Sequence, residues 1–206
     1  MADAPVTPHT GGAMELPALG LRQRDGLTCG PAVAVVAGAL MNPAYRAALL
    51  DPSAHAVTAP GRAWFAGEQG RIHAEVNRIW PRRLGTTPAG MARALTTQAA
   101  ALGVRYRWRL CHGRRDRLAD VVAALDRTYP VAMLIGNWLP RHWVLLVDRG
   151  PDALARDGDH DGDDVLRCYE PSSGAVVPVP MSAIRGARLT GLGFPRPYAV
   201  VVPSRQ

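Results

Sequence analysis

The sequence contains no lysine, so its 24 basic residues are all arginine and the positive charge behind the net +7 is carried on guanidinium groups alone. It has no apolar run close to the roughly 20 residues needed to cross a bilayer, and Met1-Ala2-Asp3-Ala4-Pro5 is not a basic segment leading into an apolar one. A membrane partner is therefore not expected, and the expected compartment is the cytoplasm. Cysteine is scarce: Cys29, Cys111 and Cys168 are odd in number and lack metal-type spacing, which argues against a disulfide framework and for reduced thiols. His9, His55, His73 and His160 form no ligand spacing with one another or with the cysteines, so neither metal nor cofactor is expected. There is no internal repeat and no low-complexity tract.

What is present suffices for one domain: 206 residues, 48% of them hydrophobic, can bury a real core. Residues 1–15 lack periodicity and read as a flexible arm, leaving 16–206 as a single folded unit. The segment Pro31 to Leu40 is nearly all Ala, Val and Leu and suits a buried helix, with Pro31 placed where its missing N–H costs nothing. Tyr45 to Leu50 adds a short helix, Asp51 to Gly61 reads as loop, and Ala63 to Trp80 and Arg115 to Thr128 have helical spacing. Thr87-Pro88 is a hydroxyl cap followed by proline, starting a helix that runs to Gly103.

The second half switches to short β-rich runs: 131–135, 142–148, 165–169, 175–179 and 198–202. Helices first and a mostly antiparallel sheet afterwards is an α+β plan. Between them, Val104 to Leu110 alternates apolar residues with Arg105, Arg107 and Arg109, the pattern of a strand with one buried and one solvated face. With Arg114, Arg115 and Arg117 close by, an acidic partner must be weighed, but no nucleic-acid-binding motif accompanies the run, which argues against nucleic acid.

The chemistry is concentrated in Gln23-Arg24-Asp25-Gly26-Leu27-Thr28-Cys29-Gly30-Pro31. A cysteine at a helix start faces unsatisfied N–H groups and the positive end of the helix dipole, both of which favour thiolate. Gln23 has an amide able to donate to an oxyanion beside the sulfur. Downstream, His142 opens an apolar run and Glu170 ends another, so nucleophile, base and a polar third residue occur in order. The bland alternatives are a buried structural Cys29, a satisfied sheet histidine, a surface glutamine and a strand-end carboxylate in water. Cys111-His112 is a poor second pair, since neighbours on a strand point to opposite faces. Cys168 should share a face with Glu170 and belongs to the core. Asp157 to Asp164 opens like a calcium loop but has Cys168 at the twelfth position, so a solvated hairpin loop is the better reading.

Gln23…Cys29-Gly30-Pro31, then Gly136-Asn137…His142-Trp143-Val144-Leu145-Leu146-Val147, then Tyr169-Glu170-Pro171-Ser172-Ser173-Gly174, resemble the papain-like cysteine peptidases, in particular the bacterial branch with peptidases that remove double-glycine leaders from bacteriocin precursors. The resemblance implies a helical N-terminal half whose nucleophile helix packs on a C-terminal antiparallel sheet. It also implies a site of Cys29 as nucleophile, His142 as base, Glu170 orienting His142, and Gln23 in the oxyanion hole. Glu170 departs from the aspartate or asparagine that the resemblance implies, being one methylene longer than aspartate.

The expected activity is cleavage of an amide or peptide bond in a peptide or protein substrate, through a thioester. Acyl transfer, deamidation or an effector toxin modifying a protein side chain remain alternatives, as does an inactive binding module that uses the arginine-rich face. The groove is expected around the loop 51–61 and Trp138. The oligomeric state is left open.

Overall fold

The computed structural model describes residues 20–50, 60–76, 85–150 and 164–204. The N-terminal arm, the fold start near Leu16, the loop over 51–59, the predicted helix end at 77–80 and the acidic run 157–163 lie outside them. Four helices come first: α1 (Cys29–Met41), α2 (Pro43–Leu50), α3 (Pro60–Val76) and α4 (Pro88–Gln98). The remainder is β1 (Tyr106–Leu110), α5 (Ala119–Asp126), β2 (Val131–Gly136), β3 (Pro140–Arg149), β4 (Val165–Glu170), β5 (Ala175–Pro180), α6 (Met181–Arg185) and β6 (Arg196–Pro203). The strands form one sheet in the order β1-β6-β2-β3-β4-β5, with every neighbouring pair antiparallel. The α+β plan is therefore the architecture found. No single helix among the described residues is long and apolar enough to cross a membrane.

Helix α1 is the centre of the molecule. Twelve of its residues are buried, so it shows no polar face, as expected of a helix enclosed on all sides rather than laid on a surface. It packs on one face of the sheet together with Trp143, Leu145, Tyr169 and Val201, and α2, α3 and α4 surround it. Gly38 permits the close approach of α4 and α2, since a Cβ there would lie 2.6 Å from Gln98 Oε1 and 2.9 Å from Tyr45. The opposite face of the sheet has its own core, in which Val144, Leu146, Leu166 and Cys168 meet Val121 and Leu125 of α5 and Ile184 of α6. The sheet is thus covered on both sides, a second layer that the helices-then-sheet reading did not include.

Thr87 caps α4 as its sequence predicts, accepting from the Gly90 N–H at 3.0 Å, and Gly103 closes the following turn in the left-handed region at φ 66°. Three expectations are corrected. Gly61 is helical, because α3 begins at Pro60 and uses it in its first turn. The predicted helix 115–128 shortens to α5 because Leu118 takes a left-handed conformation, φ 53°, just before it. The alternation in β1 fails after Tyr106: Trp108 and Leu110 are 45% and 58% exposed. Helix α4 covers only the start of β1, where Thr96 Oγ1 accepts the Tyr106 N–H. Arg109 is instead the more enclosed residue, held by Asp120 (2.6 and 2.7 Å) and Asp116 (2.6 and 3.2 Å).

Candidate functional site

Cys29 is the first residue of α1, and its position follows from the turn before it. Asp25 and Thr28 close that turn: the Asp25 N–H donates to Thr28 Oγ1 (3.0 Å), the Thr28 hydroxyl donates to the Asp25 carbonyl (3.2 Å), and Asp25 Oδ1 accepts the Leu27 N–H (2.9 Å). Thr28 is fully buried and, turned back toward Asp25, makes no cap on α1. The first N–H groups of a helix have no partner within it, so those of Cys29 and Gly30 remain for something else, and Pro31 has none to offer. Burial would raise the Asp25 carboxyl, but the Leu27 N–H and Arg24 outweigh it and hold it below its ordinary value.

Gly30 lets the helix start sit against the sheet. A Cβ there would lie 2.5 Å from Thr86 Oγ1 and 3.2 Å from the Trp143 ring. Trp143 in turn donates from Nε1 to the Thr86 carbonyl at 2.8 Å. The segment that leads into the turn is pinned by Gln69 of α3, fully buried, which accepts the Arg24 N–H (2.9 Å) and donates to the Arg22 carbonyl (3.3 Å).

His142 is the third residue of β3 and is buried. Its Nε2 donates to Glu170 Oε1 at 2.8 Å, and the Cys29 side chain is close enough to the ring to act on its charge. Phe194 packs tilted against the imidazole, with ring centroids 5.7 Å apart. Burial alone would lower the imidazole pKa. The hydrogen bonds and charges of Cys29 and Glu170 outweigh burial and raise it to about 9. The positive charge is therefore retained through neutral pH.

Glu170 ends β4 and folds its side chain over the turn that follows. Oε1 accepts the Ser172 N–H (2.8 Å) as well as His142, and Oε2 accepts the Ser173 N–H (2.8 Å). Burial pushes the carboxyl up, but His142 and these N–H groups prevail and hold it well below the carboxylate range. The extra methylene of glutamate thus has a structural use: it lets the carboxylate reach back to two N–H groups of its own turn while meeting the imidazole. Of the two sequence readings of Glu170, the solvated strand end does not describe it.

Gln23 lies against the same turn. Its backbone N–H donates to the Pro171 carbonyl (2.7 Å), and its Oε1 accepts from the Ser172 hydroxyl (3.3 Å). One hydrogen of its amide is engaged by the Asp25 carbonyl (2.8 Å), and Nε2 has a second. Gln23 therefore connects the turn before Cys29 with the turn after Glu170. The structure brings Cys29 and Glu170 to the His142 imidazole, the carboxylate by a hydrogen bond, with Gln23 at the border of the group.

Sequence reasoning quoted Ser172 and Ser173 only as part of a motif, without a role, and missed Gln69, Thr86 and Phe194. The first two carried a signal, since Pro-Ser-Ser-Gly after an acidic residue is a turn whose amides face back along the chain. The others join the site only through tertiary packing. Cys111 and Cys168 are separate from it: burial pushes the Cys111 thiol up to about 12, and Cys168 is wholly enclosed with its pKa raised by burial. Among the described residues no group of three His, Cys, Asp or Glu side chains is placed to hold a metal ion.

One consequence is measurable without a substrate. Because Cys29 is among the groups that raise the His142 pKa, Cys29→Ala should move the imidazole titration downward by about one unit, read from the pH dependence of its ring-proton resonances. An unmoved titration would mean that thiol and imidazole do not interact. No protein-family model matches the chain, and no curated protein matches it.

Proposed function

We propose that this chain is a papain-like thiol hydrolase that cleaves an amide or peptide bond through Cys29, His142 and Glu170. The observation that carries the reading is His142 placed between Cys29 and Glu170, with Nε2 donating to the carboxylate at 2.8 Å. In the first half-reaction Cys29 Sγ attacks the carbonyl carbon and forms the C–S bond. The oxyanion is met by the Cys29 N–H and the free hydrogen of Gln23 Nε2. His142 gives its proton to the departing nitrogen, the C–N bond breaks, and a thioester is left. Water then attacks the thioester with His142 as base, releasing a carboxylic acid and restoring the thiol. Glu170 keeps the imidazole in one orientation through both halves.

The test is alkylation of Cys29 by iodoacetamide across pH 5 to 10, in wild type and His142→Ala, with the label located by mass spectrometry. The expected result is labelling of wild type well below pH 8 and a loss of roughly tenfold at pH 6.5 in the variant. Equal profiles in the two proteins would sink the reading and turn attention to the arginine-rich segment as a binding surface.

A further inference from the structure

A cavity of about 660 Å³ is bordered by β1, α5 and the end of β6, and Arg105, Arg107 and Arg127 line it beside the half-buried Leu102, Tyr129 and Pro203. An apolar wall with a few charged groups, at that size, is how small-molecule sites are built. Its charge is not balanced from within. Arg105 continues β1, since its carbonyl accepts the Ser204 N–H at 2.7 Å, so Arg105, Arg107 and Arg109 share one face of the sheet. On that face Arg109 takes up both carboxylates, Asp120 at 2.6 and 2.7 Å and Asp116 at 2.6 and 3.2 Å, while Arg107 stands 3.8 Å from Asp120. Among the described residues neither Arg105 nor Arg127 has a carboxylate in ion-pair range. Four guanidinium groups thus share two carboxylates, and two positive charges remain. The carbonyl end of α5 does not offset them, because Ala124 accepts the Arg127 and Tyr129 N–H groups (3.1 and 2.9 Å) and Leu125 accepts that of Thr128 (2.9 Å). Like charges gathered at one concavity focus a field that an anion relieves.

We propose that this cavity binds a small phosphate monoester, with Arg105, Arg107 and Arg127 around the dianion and the apolar body of the ester against Leu102, Tyr129 and Pro203. The charge selects the head group. A phosphate monoester carries nearly two negative charges at neutral pH, which match the two that remain, and it offers three terminal oxygens to three guanidinium forks. A monocarboxylate has one charge and two oxygens, so at least one arginine would stay unmet. The wall adds the second requirement, since inorganic phosphate has the charge but nothing to cover the apolar side chains. None of the lining residues belongs to the group around Cys29, His142 and Glu170. The proposal therefore does not rest on the reading of that thiol.

The test is isothermal titration calorimetry of the full chain at pH 7.5 and low ionic strength, with phenyl phosphate, inorganic phosphate and benzoate as probes. Phenyl phosphate should bind about tenfold more tightly than either of the others. Arg105→Gln and Arg127→Gln should each weaken it by about tenfold, and Ala123→Glu, which sets a carboxylate on the exposed lining of α5, should abolish binding. Arg114→Gln is the control, because it removes the same charge from an exposed arginine outside the cavity and should change the affinity less than about twofold. All four positions are exposed, so these variants should melt with wild type. The absence of saturable binding below about 10 mM phenyl phosphate overturns the proposal. Benzoate binding as tightly as phenyl phosphate overturns it in favour of a carboxylate site, and inorganic phosphate doing so removes the part given to the apolar wall. If Arg114→Gln costs as much as Arg127→Gln, a diffuse positive field attracts the anion and the cavity is not its site.

Discussion

Glu170→Gln should lower kcat on an amide substrate by about two to four orders of magnitude while leaving KM nearly unchanged. Three hydrogens converge on the carboxylate, from His142 Nε2 and from the Ser172 and Ser173 N–H groups, each at 2.8 Å. A glutamine has one oxygen for three donors. If that oxygen takes the place of Oε1, its NH2 faces the Ser173 N–H; if it takes the place of Oε2, the NH2 faces both His142 and Ser172. Either way two donors oppose each other, and the side chain must rotate away, leaving the imidazole unoriented. The same change has a pH signature in stability. His142 is raised from 6.5 to about 9 in the folded protein, so its contribution is complete below 6.5 and is lost as pH rises through 9. Glu170 is lowered from 4.5, so its contribution is complete above 4.5 and is lost as pH falls toward the folded value. The pair is therefore worth most between 4.5 and 6.5. Wild type should exceed the variant there by about 3 kcal/mol, and the difference should shrink by pH 10. Thermal melts of both proteins at pH 5.5, 7.5 and 10 measure it, and a gap of constant size would mean that no ion pair exists.

The parts of this arrangement that were legible in the sequence are those set by local pattern. The apolar run after Pro31 can only be a buried helix, and Thr87-Pro88 marks a helix start by its own chemistry. The strand runs at 131, 142, 165, 175 and 198 are short and rich in β-branched residues. The order of cysteine, histidine and carboxylate was readable for a related reason: Cys29 opens α1, Glu170 ends β4 and His142 lies near the start of β3, so each is marked by the apolar run beside it. What stayed hidden depends on which element covers which. Arg109 looks as solvated as its neighbours until Asp116 and Asp120 arrive from the segment after β1 and enclose it. Trp108 looks buried by alternation, but α4 ends its cover at Tyr106. Leu118 carries no turn signal of its own. It takes a left-handed conformation where Asp116 Oδ1 accepts its N–H at 3.0 Å. Helix α6 is five residues long, too short for a periodic pattern to register.

Gly136→Ala should destabilise the domain by about 3 kcal/mol or more and, unlike a simple packing defect, should also remove the influence of His142 on Cys29. A Cβ at Gly136 would overlap the Leu139 carbonyl oxygen and lie 2.9 Å from both the Leu139 carbonyl carbon and the Pro140 Cα. All three are backbone atoms, so no rotamer change relieves the contact. The hairpin must open, and the strand it would displace is the one that holds His142 two residues beyond Pro140. Gly30→Ala meets a different obstacle, since its Cβ would strike the side chain of Thr86 at 2.5 and 2.7 Å. Thr86→Gly should therefore recover most of the stability lost in Gly30→Ala, whereas no side-chain substitution should recover Gly136→Ala. Gly67 gives the baseline for the series. It is exposed inside α3 with nothing within 4 Å of an added Cβ, so Gly67→Ala should stabilise by roughly 0.5–1 kcal/mol through helix propensity alone. Urea unfolding of the four variants, with iodoacetamide labelling of Cys29 at pH 6.5 on the same samples, separates the two kinds of damage. Should Gly136→Ala unfold at the wild-type midpoint and label at the wild-type rate, the tight hairpin would not be what positions the imidazole.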